Sequence, residues 1–221
     1  MAVTDATVLA WLPAIGALVL VASPRPWRVL RPVVTIAHEG GHVAVALLAG
    51  RRLAGVRVHA DASGLTRSRG RDDGPGMVAT LLAGYVTPCV LGLAAALLVS
   101  AGRHLVVLGT AVALLVALLV TMRNVFGVVA VVATGAALVG LTAYASPPFQ
   151  EACAALLAWF LLFGGVRSVV DLRRGRRGGA RDSDADQLAR LTRVPAVLWV
   201  LAFAAVSLGA LAAATALLMR A

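Results

Sequence analysis

The sequence predicts an all-α, polytopic membrane protein of about six to seven transmembrane helices, with one short β-hairpin after the second helix. Three observations carry this expectation. The chain of 221 residues is 60% hydrophobic and only 14% charged, more apolar surface than a single soluble core of that length can bury. Its mean hydropathy of +0.90 repeats the point. Apolar runs of the roughly 17 to 25 residues that a helix needs to cross a bilayer follow one another along the chain. One polar segment between them alternates at strand period and contains turn chemistry. The spans themselves are expected to be helices, because a helix satisfies its own backbone groups in lipid.

Taken in order, spans are expected at 6–22, 30–49, 77–100, 104–121, 125–143, 152–171 and 195–218, within a single membrane domain covering 1–221. No basic residue precedes the first run, so it lacks the positive segment of a cleaved signal peptide and reads as a retained span. The second carries a cluster of ionisable residues, treated below. A polar segment, 51–76, follows: Val56-Arg57-Val58-His59-Ala60 alternates, Asp61-Ala62-Ser63-Gly64 turns, and Arg69 to Gly76 has loop composition. Only Met122-Arg123-Asn124 separates the fourth and fifth runs, which predicts a tight helical hairpin with Asn124 capping the fifth. The last polar segment, 173–193, opens as an Arg/Gly linker. It then offers Ser183-Asp184-Ala185-Asp186, a capping-box pattern starting a short helix, before Pro195 leads into the final span.

Every basic residue is Arg, and together they give a formal net charge of +10. They flank apolar runs, where Arg sets orientation and meets anionic headgroups of the lipid bilayer, so no nucleic-acid partner is indicated. The all-Arg, Ala/Val/Leu/Gly-rich composition suits a GC-rich bacterial genome, hence a multi-pass protein of the bacterial cytoplasmic membrane. Placing 51–76, Arg123 and 173–193 in the cytoplasm puts most arginines inside and the N-terminus with them. It leaves Arg25, Arg28, Arg31, Arg103 and Arg220 outside, and the first three of these run against the positive-inside rule. Cys89 and Cys153 stand singly inside apolar runs, which argues against a disulfide framework or a cysteine metal site.

The chemistry-bearing motif is His38-Glu39-Gly40-Gly41-His42, inside the second run. Residues four apart share a helix face, so both imidazoles can bind one ion while Glu39 projects beside it. Zn2+ fits this donor set; it lowers the pKa of a bound water, and a neighbouring glutamate can carry the proton as general base and pass it to the leaving amine. Ionisable residues within a span are costly, which favours a functional over a packing role. With Gly50 near the cytoplasmic face, the two histidines lie about 12 to 18 Å into the bilayer at 1.5 Å per residue. Gly40 and Gly41 either let another span approach or leave room for substrate backbone. Tyr85 is open between a supporting hydrogen bond and ordinary packing. His59 and His104 read as interfacial polar residues.

The HExxH on an early span, followed by a short hairpin and further apolar spans, resembles the site-2 protease family of intramembrane zinc metallopeptidases, in a small divergent branch. That resemblance implies His38 and His42 as zinc ligands, Glu39 as the base, and cleavage within or near the membrane segment of a membrane-protein substrate. The substrate is expected to unwind and pair with the hairpin, with Val56, Val58 and Gly84 as substrate-binding positions. The Asp-Gly that these proteases place in a later span occurs here only as Asp73-Gly74, in the polar loop. With two imidazoles present, the missing ligand falls to an acid, and Asp171 is the assignment because it alone belongs to an apolar span. Asp184 is the alternative. The rival from another class is a catalytically inactive scaffold, which stands if no third ligand exists, or a metal-handling membrane protein, for which paired broken spans or inverted repeats would be expected and neither is found. Nothing in the sequence names the substrate or sets the oligomeric state.

Overall fold

A computed structural model describes residues 2–61 and 63–218. The chain folds as α1 (Ala2–Ala22), α2 (Pro24–Leu48), β1 (Arg52–Val58), β2 (Gly64–Arg69), α3 (Gly74–Ser100), α4 (His104–Leu119), α5 (Val125–Tyr144), α6 (Pro147–Arg177), α7 (Asp184–Thr192) and α8 (Ala196–Leu218). The all-α polytopic expectation holds. Four helices are long and apolar enough to cross a membrane, namely α3, α5, α6 and α8; α4 and the Trp11–Ala22 part of α1 are shorter apolar helices. α2, with its arginines and HExxH, is not apolar enough to count among them.

α3 is the central post, packed on α2, α6 and α8. Gly92 fits against Leu162 and the Ala158 carbonyl of α6, while the Cys89 thiol donates to Ser207 of α8 at 3.3 Å. α4 and α5 form the expected tight hairpin, and most of α5 stays exposed, as a lipid-facing helix would. Asn124 does not cap α5 through its side chain. Its amide instead clamps β1, donating to the Val58 carbonyl at 2.6 Å and accepting from the Val58 N–H at 3.2 Å. Val56 likewise bonds outward to Thr121 and Arg123. The α4–α5 turn thus covers the outer edge of β1.

β1 and β2 pair antiparallel, with Val56 opposite Thr66 and Val58 opposite Gly64. Because Val56 and Val58 direct their backbone groups away from β2, Thr66 and Gly64 occupy non-hydrogen-bonded positions and turn theirs to the other side. β2 is therefore the open edge. Arg51 fixes the hairpin base, donating to Ser68 Oγ at 2.9 Å and to the Arg71 carbonyl.

One expectation is corrected. Gly16 of α1 meets Leu156 of α6, and farther along both helices Arg167 donates to the Val21 carbonyl, so α1 and α6 run in the same direction. α2 then crosses α6, with Trp27 against Phe160 and Asp171 and Val34 against Gly164, before descending along α3. The turn between α1 and α2 lies in the half of the bundle that also holds the hairpin and the α6 C-terminus. The sequence reading treated both stretches as crossings. The Arg-Pro-Trp-Arg-Val-Leu-Arg start of α2 is too polar to cross, and Pro32 lies within the helix. Among the described residues, every arginine except Arg103 then belongs to one half, which removes the exception to the charge rule but places the two chain ends of α1 opposite to expectation.

Candidate metal centre

The HExxH lies on the part of α2 that packs along α3, and two glycines make that contact possible. A Cβ at Gly41 would overlap Thr87 and the Ala83 carbonyl, so Gly41 serves helix packing, whereas a Cβ at Gly40 would meet nothing. From the other side Gly84 of α3 faces the imidazoles. A methyl there would stand 2.5 Å from His42 Nε2 and 2.6 Å from His38 Nε2, in the space between the helices where those nitrogens converge.

His38 Nε2 and His42 Nε2 are 3.0 Å apart. His42 Nδ1 lies 2.7 Å from the Thr80 carbonyl, to which it must donate, leaving Nε2 as a lone-pair donor aimed at the cluster. The third corner is Asp184, whose Oδ2 stands 3.2 Å from His38 Nε2 and 3.4 Å from His42 Nε2. Among the described residues these three form the group able to hold a metal ion. Tetrahedral zinc with bonds of about 2.0 to 2.1 Å separates its donors by roughly 3.3 Å, so the triangle has the size that this ion needs. Burial pushes the Asp184 carboxyl up, but hydrogen bonds from His38 and His42 and their charge outweigh it and hold it well below the usual carboxylate range.

Asp184 is the first residue of α7, which docks through its neighbours. Ser183 and Asp186 close a capping box, and Asp186 also pairs with Arg176 at the end of α6. Ala185 and Leu188 bury the other face of α7 against Leu81, Val169 and Phe203.

Asp171, the sequence assignment for the third ligand, lies outside the triangle. Its carboxylate is taken by Arg167 at 3.2 Å, Arg174 at 3.8 Å and the Trp27 indole N–H at 3.4 Å. The correction has a simple cause: arginines at helical spacing on both sides of Asp171 satisfy it locally. Val56 and Val58 are corrected as well. Both are fully buried and their backbone groups are spent on the α4–α5 turn, so the edge open to a peptide belongs to β2. Gly84 borders the imidazoles and leaves room for them, rather than lining the strand edge.

Glu39 is 3% exposed and lies between the imidazoles and β2. Thr66, which the sequence reading did not single out, donates its hydroxyl to Glu39 Oε2 at 2.5 Å. A side chain at Gly64 would collide with the same carboxylate. Tyr85 packs edge-on against His38 with ring centroids 4.8 Å apart and stacks on Phe203, bracing the imidazole from behind. A cavity of about 770 Å³ opens over the site, walled by α2, β2, the α6 end and the start of α7.

The sequence matches the Peptidase M50B-like family over residues 11–214. The chain belongs to this family, the site-2 protease family. No curated protein and no solved structure matches it.

Proposed function

We propose that this protein is an intramembrane zinc metalloprotease of the bacterial cytoplasmic membrane, cutting peptide bonds within or near the membrane segment of a protein substrate. The observation that carries the reading is the triangle of His38, His42 and Asp184 with Glu39 beside it, in a cavity bordered by an open strand edge. His38, His42 and Asp184 would hold the ion. When bound there, zinc supplies Lewis acidity for hydrolysis of the amide.

The rest belongs to the chain. β2 receives the substrate as an added strand, using the outward N–H and C=O groups of Gly64 and Thr66, so the substrate segment must be unwound before it binds. Such pairing draws the scissile amide along the strand that already touches Glu39. Glu39 takes a proton from the attacking water and delivers it to the departing amine nitrogen. Thr66 fixes its carboxylate during both transfers. Burial of Glu39 between α2 and β2 supports an exchange below the bundle surface, with the bordering cavity as the route for the one water that hydrolysis consumes.

The test is Glu39→Gln in the purified full chain. The variant is expected to remain folded and bind zinc as the wild type does while losing cleavage by several orders of magnitude, because both imidazoles and Asp184 are untouched. Retained turnover ends this reading.

A further inference from the structure

We propose that Arg31 is the cation that selects the substrate, pairing with an acidic side chain carried about three residues from the cleaved bond. This rests on the peptidase reading of the site.

Two other arginines of the cavity wall have partners in the protein: Arg176 is bound to Asp186, and Arg181 donates to the Arg176 carbonyl. Asp171 and Asp182, acids of the same wall, are held by Arg167 and by Arg190. Arg31 alone among those three arginines has no ion pair or hydrogen bond for its guanidinium among the described residues, although it is half-buried. Arg25 and Arg28, on the same stretch of α2, are exposed and suit lipid phosphate; Arg31 faces the cavity shared with His38 and Asp184. A half-buried guanidinium in such a wall gains most from a planar anion that it can grip with two N–H groups.

Distance along the wall decides which part of a substrate it meets. Arg31 precedes His38 by two helical turns on the same face, about 10 Å. β2 runs in the same direction as α2, since Thr66 touches Glu39 and Ser68 touches Arg51. The hairpin turn lies toward Arg31: Ser63, at that turn, lines the same cavity as Arg31. A peptide added to β2 with its scissile amide beside Glu39 therefore passes Ser63 and reaches Arg31. At about 3.3 Å per extended residue, 10 Å is three residues.

The experiment uses the full chain in lipid nanodiscs and synthetic single-span peptides, Ala/Leu-rich with a central Gly-Gly break, carrying Glu or Gln at one position on either side. For the zinc-loaded wild type, Glu about three residues from the cut is expected to raise kcat/KM at least tenfold over Gln, mainly through KM. Arg31→Gln should abolish the difference between the two peptides, and Arg31→Glu should shift preference to a Lys peptide. Binding of the same peptides to Glu39→Gln should show the same discrimination without turnover. Equal handling of Glu and Gln peptides by wild type, or a preference that persists in Arg31→Gln, overturns the proposal. So does a loss confined to binding of vesicles rich in anionic lipid, which would make Arg31 a headgroup contact. If the wild type cleaves nothing but Glu39→Gln still discriminates in an Arg31-dependent way, the peptidase reading fails and the carboxylate site stands.

Discussion

Asp171, near the end of α6, and Asp184, at the start of α7, border the same cavity, yet their carboxylates have different partners. Asp171 sits in an apolar helix, where a sequence reader looks for a buried ligand, but Arg167, Arg174 and Trp27 have claimed it. Asp184 opens a short helix after a polar loop, as one of three closely spaced acids. Asp182 takes Arg190 and Asp186 takes Arg176, so Asp184 is left to the two imidazoles. A carboxylate becomes available to an ion when the cations around it are otherwise engaged, and hydropathy is a poor guide to that.

The sharpest break of this contrast is a pair of substitutions. Asp184→Ala should reduce zinc affinity by more than the roughly 10- to 100-fold that loss of an outer hydrogen-bond partner costs, and cleavage should disappear with the metal. Asp171→Ala should keep one zinc per chain, at most losing stability through the freed arginines. Metal stoichiometry of the two variants decides; the reverse result would return the third ligand to α6.

The second prediction applies the same distinction to space. Gly84→Ala pushes a methyl against both ligand nitrogens and should lower zinc occupancy severely while α3 still folds. Gly40→Ala enters open space and should bind zinc normally, with stability raised by up to about 1 kcal/mol from helix propensity. Equal zinc binding by both variants would mean that the two helices can part at no cost. The smallest effect is expected at Asn124. Asn124→Ala leaves the Val58 N–H and C=O without partners and should destabilise the hairpin by about 1 to 3 kcal/mol, read as faster amide exchange across β1 with zinc binding retained.

The sequence made the chemistry of α2 legible because spacing alone puts His38 and His42 on one helix face. It also placed the hairpin, the α4–α5 turn and the capped start of α7, since alternation, a three-residue tip and Ser183-Asp184-Ala185-Asp186 are local signals. What it could not supply were contacts between distant segments. Asn124 looked like a cap because its bond to Val58 lies across the fold, and Val56 and Val58 looked like an open edge until the α4–α5 turn was found on them. The direction of α1 was hidden for a related reason: hydropathy reports that a stretch is apolar, not which neighbour it lies beside. One clue was present throughout. Three arginines in 23–32 on the wrong side of the expected topology signalled that the α1–α2 turn belonged with the others.

The placement of Asp184 also bears on biosynthesis. His38, Glu39 and His42 emerge from the ribosome early, while the residue that completes their cluster follows only after four more helices have been made. A nascent chain thus carries Glu39 and two imidazoles without the carboxylate that closes the triangle. On the reading proposed above, hydrolytic competence waits for the docking of α7.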